Sequence, residues 1–180
     1  MKPTPPDPRS PREPWEEQYQ LLQNNPLPWL LKADQLIEAF EALIADDERR
    51  ASEGRSRRID SVTYLLAGFA MEALLKGLLI AAKKHLDARG RFRIATHNLR
   101  KLATDAGYDL DRSELTLLER IEQFTTWTAR YPIPLSVDDL RPRQTADGGF
   151  APRTYRYQGE DRDPIRGLIR RFKEDLVDRL

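Results

Sequence analysis

The longest apolar stretch of the chain runs from Tyr64 to Ala82, within the segment 61–84. Glu72 and Lys76 are its only charged residues. A helix that is apolar on nearly every side lies in a bundle core or in a membrane. The two charges are four positions apart with the carboxylate first, so they share one helical face. Each would cost about 2.5–3.5 kcal/mol at a bilayer centre. The pattern therefore predicts a central bundle helix over about 59–86.

Apolar spacings of three and four predict further helices around the central one, over about 14–24, 28–50, 97–106, 112–130 and 164–179. Thr96 is the predicted N-cap of the helix from His97, and Asp111 to Glu114 has the spacing of a capping box. Asp163 and Pro164 are the expected cap and first turn of the last helix. Gly68 and Gly77 weaken the central helix, which makes sense where another helix approaches closely.

The two irregular parts of the chain are rich in proline. Six of the thirteen prolines lie within residues 1–14, which predicts a disordered arm. The stripe of Trp15, Tyr19 and Leu22 after it is expected to dock on the bundle. Residues 132–161 form an irregular insertion, in which Asp147 and Gly148 could turn a small hairpin. The expected architecture is all-α, with residues 15–180 as a single helical bundle domain.

Composition excludes several kinds of chemistry. The 180 residues include no cysteine, so disulfides, thiolate metal sites and cysteine nucleophiles are all excluded. There is no glycine-rich phosphate loop and no histidine and carboxylate cluster with metal-ligand spacing, so we expect neither a metal nor another cofactor. No apolar region follows Lys2, which argues against a signal peptide. The protein is expected to be cytoplasmic.

The net charge of +1 hides an uneven distribution. Residues 83–101 hold seven basic residues and the single acid Asp87. This basic connection predicts contacts with RNA phosphates, and its candidate RNA-binding residues are Arg89, Arg93, Arg100 and Lys101. The alternative is that these side chains are solvated helix ends and loops.

Three sequence motifs share an order that is similar to a known family. The central AMEALLKGLL, the later ATHNLRKLATDAG and the TARYP near residue 130 resemble the HEPN domain, named for higher eukaryotes and prokaryotes nucleotide-binding. The similarity covers about residues 29–132. The matching positions are Glu72, Lys76, Thr96, His97, Leu99, Arg130, Tyr131 and Pro132.

The resemblance implies an up-and-down helical bundle of the HEPN type, usually dimeric. Such domains occur in toxin–antitoxin pairs, in phage defence and as partners of nucleotidyltransferases. Many are metal-independent ribonucleases with an arginine four to six residues before a histidine. This chain departs from that pattern, because no histidine follows Arg130. Its only fit is Arg91 with His97.

The candidate catalytic residues are Arg91, His97 and Glu72. An imidazole can accept the proton of a 2′-hydroxyl near neutral pH, an arginine can stabilise the phosphorane, and a buried carboxylate can orient the imidazole. The alternatives are that His97 is a polar residue at a helix start and that Glu72 with Lys76 fixes helix register. Glu72 is expected to be the more buried of that pair, since Lys76 can extend towards solvent.

Arg130 and Tyr131 are expected to close the bundle end as structural polar residues. The sequence thus favours an RNA-directed, HEPN-like protein, with ribonuclease activity left open, over a non-catalytic adaptor that binds a protein or a nucleotide. A homodimer is expected, because the thinner helices around the central one are not expected to cover it within one chain. RNA and a cognate antitoxin or nucleotidyltransferase are the other partners considered, and no membrane.

Overall fold

The computed structural model describes residues 13–55, 60–128, 137–144, 150–151 and 159–180. The fold is all-α. The described residues form a helical bundle of six helices: α1 (Pro14–Gln23), α2 (Leu27–Ser52), α3 (Asp60–Ala81), α4 (Leu99–Ala106), α5 (Arg112–Gln123) and α6 (Arg162–Val177).

The central position of α3 is confirmed. It packs against α2, α4, α5 and α6, and every residue of 71–80 is buried. The segment Ser61–Ala81 is long and apolar enough to cross a membrane, but 78% of its most apolar part is buried inside the protein. The helices of one chain therefore cover α3, contrary to the expectation that a second chain is needed for this.

The two glycines of α3 lie where neighbouring helices approach, as their position predicts. A Cβ at Gly68 would collide with Thr125 and would lie 2.8 Å from Cγ2 of Ile121. A Cβ at Gly77 would lie 2.8 Å from Cδ2 of Leu176 on α6. These contacts explain why α3 keeps two poor helix formers in its interior.

The prediction that the central helix extends to about residue 86 is wrong, since α3 ends at Ala81. Lys83 takes a left-handed conformation with φ 56°. Its N–H donates to the Ile80 carbonyl at 2.9 Å, and the Lys84 N–H donates to the Leu79 carbonyl at 2.7 Å. These bonds form a Schellman motif, which closes a helix by satisfying its last carbonyls.

The start of α4 differs from its prediction. Asn98, not Thr96, is the N-cap, and its side chain accepts a hydrogen bond from the Lys101 N–H at 2.7 Å. The helix therefore begins at Leu99, and His97 lies in the connection before it. Gly107 ends α4 with φ 97°. The capping box of Asp111 and Glu114 at the start of α5 is confirmed.

The predicted helix of 112–130 is α-helical only as far as Gln123, and it continues as a π-helical turn over Phe124–Thr128. The last helix begins at Arg162, so the prediction of Asp163 as its cap is wrong, and Asp163 lies inside the first turn. Asp161 occupies the N-cap position, but its side chain makes no capping hydrogen bond. Pro164 then lies in its first turn, where a missing N–H breaks no helical hydrogen bond.

The predicted docking of the N-terminal helix is wrong. α1 forms, but Trp15, Tyr19 and Leu22 are 66%, 52% and 52% exposed. Gln23 is its only buried residue. The aromatic side of α1 therefore does not pack on its own bundle.

The irregular insertion is described only in part. Val137–Leu140 and Gly159–Asp161 are short 3-10 turns. β1 (Arg143–Gln144) and β2 (Phe150–Ala151) pair antiparallel, which confirms the strand pairing of the predicted hairpin. Its turn residues, Asp147 and Gly148, and the arm over residues 1–12 lie outside the described residues.

Candidate functional site

A buried carboxylate on α3 links two cationic or polar partners. Glu72 Oε1 accepts a hydrogen bond from Lys76 Nζ at 2.7 Å. Its other oxygen, Oε2, lies 2.8 Å from Nδ1 of His97. The helical spacing of four brings the first pair together, whereas the second joins positions 25 apart in sequence. The structure thus brings together Glu72 and His97, two of the three candidate catalytic residues.

Burial differs sharply across this cluster. Glu72 and Lys76 are only 8% and 7% exposed, so the expectation that Lys76 extends towards solvent is wrong. Lys76 Nζ instead lies 5.7 Å from the ring centroid of Trp29 on α2, a cation–π contact. The His97 side chain is 56% exposed. The cluster therefore runs from a buried ion pair to a ring that faces solvent.

Local structure holds His97 at the end of the connection between α3 and α4. Ile94 and Leu99, on either side of it in sequence, are buried in the core. The Thr96 hydroxyl accepts a hydrogen bond from the Asn98 N–H at 3.1 Å. Apolar anchors before and after the histidine, with a turn between them, fix the backbone from which the ring reaches Glu72.

This arrangement sets the hydrogen-bonding roles of the imidazole. An ionised carboxylate only accepts, so Nδ1 of His97 carries the proton that it donates to Glu72. In the neutral ring Nε2 is then an acceptor. A carboxylate that orients an imidazole in this way is the arrangement found behind general bases. The geometry is that of a proton acceptor supported by a buried ion pair.

Arg91, the third candidate, makes its hydrogen bonds with Asp87. Its Nε lies 2.9 Å from Asp87 Oδ2, and the Asp87 carboxylate also accepts the N–H groups of Arg89 and Arg91 at 2.8 Å and 3.0 Å. These hydrogen bonds lower the pKa of Asp87, the Arg91 N–H most of all. The carboxylate therefore shapes the turn and holds an exposed guanidinium.

The candidate RNA-binding residues differ in how firmly they are paired. Arg93 lies 3.6 Å from Asp105, and Lys101 also pairs with Asp105 on the exposed side of α4. Arg100 is held more tightly, by the buried Glu122 on α5. That carboxylate accepts the Arg100 N–H at 2.9 Å and the guanidinium at 3.0–3.4 Å.

Two carboxylates and one aromatic ring of this region are missed by sequence reasoning. Asp105 follows Lys101 by four positions on α4, a spacing that could have indicated the pair. Glu122 is 22 positions from Arg100 and carries no local signal of the contact. Trp29 meets Lys76 only through the packing of α2 on α3.

Arg130 and Tyr131 lie outside the described residues, so their predicted role at the bundle end is untested. Among the residues that are described, no group of three or more histidines and carboxylates could hold a metal ion.

Comparison with known proteins gives no relative for this chain. No family model matches it, and neither a curated protein nor a solved structure is significantly similar to it. The function is therefore inferred from the geometry of the site.

Proposed function

We propose that the protein is a HEPN-like, RNA-directed ribonuclease of a bacterial toxin–antitoxin or phage-defence system, with His97 as its proton acceptor. The observation that carries this is the hydrogen bond from Nδ1 of His97 to the buried Glu72. The all-α bundle of six helices supports this proposal. The up-and-down order of helices that the resemblance implies is itself part of the proposal. A cytoplasmic location belongs to the same proposal.

The chemistry assigned to the site is cleavage through the 2′-hydroxyl of RNA. Nε2 of His97 accepts the hydroxyl proton while the 2′-oxygen attacks the adjacent phosphorus. The bond to the 5′-oxygen breaks, water supplies a proton to the departing oxygen, and the products are a 2′,3′-cyclic phosphate and a free 5′-hydroxyl. Glu72 acts as a positioning residue, because it orients the imidazole and does not touch the substrate.

Arg91 supplies the positive charge that stabilises the phosphorane in this proposal. Its pair with Asp87 is exposed, and exposed ion pairs contribute little to stability because water and salt screen them. An RNA phosphate can therefore replace Asp87 at little cost. Arg100 is different, because pulling it away would leave the buried Glu122 unpaired, and breaking a buried pair costs about 3–5 kcal/mol. We assign Arg100 to the structure and Arg91 to the substrate.

Cleavage of a mixed-sequence RNA, followed by product analysis in the presence of a chelator, tests the activity. Wild type should yield 2′,3′-cyclic ends, and His97→Ala should lose cleavage while it still binds the RNA. Glu72→Gln should cleave RNA at part of the wild-type rate. The pH dependence of that rate should also change, since the imidazole of His97 loses its charged partner. Arg112→Gln, an exposed change on α5, is the matched control. Cleavage by His97→Ala at the wild-type rate would refute the role of His97.

The pairing of the cations favours a second candidate, a non-catalytic adaptor that binds a protein or a nucleotide. Four of the seven basic side chains in the connection form ion pairs with Asp87, Asp105 or Glu122. Fewer unpaired positive charges are therefore available to bind phosphate. A wild-type protein that neither cleaves RNA nor binds it more weakly as salt rises would support the adaptor.

A further inference from the structure

A cavity of about 820 Å³ lies at the end of the bundle where α2 begins and α3 and α6 end. Its apolar lining includes Leu27, Ile80 and Leu86. Its polar lining consists of two cations, an imidazole and two side-chain amides, and none of the described side chains that line it is a carboxylate. Cavities that bind small molecules typically measure about 300–1,000 Å³ and combine apolar walls with a few polar groups. This cavity has that size and that character.

The two cations of this cavity have no ionic partner. Lys83 follows the end of α3, and Arg179 follows the end of α6. Within the part of the chain that the structure describes, neither forms an ion pair, and this includes the neighbouring Leu180. Two unpaired positive charges at the edge of one cavity create a potential that favours an anion inside it.

Helix capping does not use the charged groups of these two side chains. A cation near the C-terminus of a helix can donate hydrogen bonds to the last carbonyls. Here main-chain groups already serve that purpose, since the Ile80 carbonyl accepts the Lys83 N–H at 2.9 Å and the Leu176 carbonyl accepts the Arg179 N–H at 3.1 Å. The ammonium and the guanidinium are therefore available to bind a ligand.

A buried imidazole in the wall of the cavity points to the same class of ligand. His85 is almost completely buried, and neither of its ring nitrogens has a hydrogen-bond partner of good geometry. Buried polar groups of folded proteins are nearly always paired, and one that is not is typical of a functional site. An oxyanion in the cavity can accept a hydrogen bond from the N–H of the ring.

We propose that this cavity, which we call the His85 cavity, binds a small amphipathic anion. The ligand has one oxyanion head, a phosphate or a carboxylate, on an apolar body. Lys83 and Arg179 bind the head through charge-assisted hydrogen bonds, and Ile80 and Leu86 pack against the body.

The His85 cavity is separate from the cluster around His97. Glu72, which contacts His97, is nine residues before Ala81 at the end of α3. This spacing corresponds to about 14 Å along the helix axis. The proposal therefore does not depend on ribonuclease activity.

His85 and His97 are the only two histidines of the chain, so its imidazole NMR spectrum reports directly on this cavity. Phenyl phosphate and benzoate are titrated separately into the protein at constant pH, and benzyl alcohol is the uncharged control. At least one of the two anions should shift the His85 Cε1–H signal saturably at millimolar concentration, and the tighter of the two identifies the head group. Benzyl alcohol should bind at least about 10-fold more weakly. A shift of the His97 signal alone would place the anion at the proposed ribonuclease site, and it would overturn this proposal without contradicting that one.

Three variants test the roles of the cations. Lys83→Gln and Arg179→Gln should each raise the dissociation constant of the tighter anion about 10-fold, since each loses a hydrogen bond to a charged group. Lys84→Gln is the matched control, because it removes the same charge from the next residue, which does not line the cavity. It should change the dissociation constant by less than about twofold. The absence of a saturable shift with either anion, equal binding of benzyl alcohol, or equal effects of Lys83→Gln and Lys84→Gln would overturn the proposal.

Discussion

At the scale of single residues, the Glu72–Lys76 pair decides how the core tolerates substitution. Both side chains are almost completely buried, so neither can move to solvent when its partner is removed. Removing one member of such a pair typically costs about 3–5 kcal/mol, because the other charge stays buried and unpaired. Because Lys76 is as buried as Glu72, the loss of either side chain is expected to destabilise the fold.

We therefore predict that Lys76→Met and Glu72→Leu each lower the unfolding free energy by about 3–5 kcal/mol. The double variant should recover most of this loss, since two apolar side chains of similar volume can replace a buried ion pair. Urea denaturation of the three variants measures the coupling between the sites. Additive losses in the double variant would show that the two charges are not coupled.

His85 links stability to pH. Its side chain is 3% exposed, and neither ring nitrogen has a hydrogen-bond partner of good geometry. Desolvation lowers its pKa, and the nearby Leu79 carbonyl opposes this only in part. The folded protein therefore holds this ring neutral.

The sign of the pH effect follows from this lowered pKa. The unfolded chain takes up a proton below about pH 6.5 that the folded protein does not, so the unfolding free energy falls as pH falls through that value. We predict that His85→Leu has a flatter profile than wild type below about pH 6.5 and a parallel one above it. Urea midpoints measured across this range provide the comparison. Parallel profiles throughout would contradict a lowered pKa of His85, because they would mean that the ring binds protons equally well in the folded and unfolded states.

At the scale of secondary-structure elements, hydrophobic periodicity predicts which segments are helical, and capping residues decide where they end. The five amphipathic segments and the central helix all form. The errors fall at termini, where Asn98 caps α4 in place of Thr96 and Lys83 closes α3 without a glycine. Neither choice follows from periodicity, because each depends on one residue's backbone conformation.

The end of α3 offers a direct test of this closure. A left-handed conformation costs a non-glycine residue about 1–2 kcal/mol. Replacing Lys83 by glycine removes this cost, but part of the gain in stability is lost because glycine has more conformational freedom in the unfolded chain. We predict that Lys83→Gly raises the unfolding free energy by about 0.5–1 kcal/mol. Lys84→Gly removes the same charge at a position without positive φ and should be destabilising. Thermal denaturation of the pair makes the comparison.

Where two helices cross closely, packing limits which residue is tolerated more strictly than helix propensity does. We predict that Gly68→Ala lowers the unfolding free energy by about 1–3 kcal/mol through overpacking, because its Cβ would meet Thr125 and Ile121. Thr125→Ser in that background removes the colliding methyl group and should restore part of the loss. Gly167→Ala on α6, where a Cβ meets nothing within 4 Å, should gain about 0.5–1 kcal/mol. Equal effects at the two glycines would contradict this.

At the scale of the whole molecule, the sequence predicts the contact between the candidate residues Glu72 and His97 better than it predicts the charge around them. Glu72 and His97 meet as the motifs suggest, since α3 and the connection before α4 lie side by side. The basic connection, by contrast, is partly neutralised by carboxylates from elsewhere in the fold. Glu122 reaches Arg100 only because α5 packs on α4. A count of the charged residues in one segment of the sequence does not reveal ion-pair partners that come from other helices.

The last prediction concerns how many cations of the basic connection bind RNA phosphates, a number that the salt dependence of binding measures. Within the described residues, Lys83, Lys84 and Arg89 form no ion pair. On single strands each neutralised phosphate contributes about −0.7 to the slope of log K against log salt. Three engaged cations predict a slope near −2. If the exposed pairs of Arg91, Arg93 and Lys101 also open, the slope approaches −4.

Fluorescence anisotropy with a labelled single-stranded RNA, titrated at several salt concentrations, gives this slope. We expect a value between these limits, because exposed ion pairs open at little cost while the Arg100–Glu122 pair stays closed. Arg91→Gln should then reduce the slope by about 0.7, and Arg100→Gln should leave it unchanged while lowering stability. A slope near zero would remove RNA from the proposal, because a phosphate contact cannot form without releasing counterions.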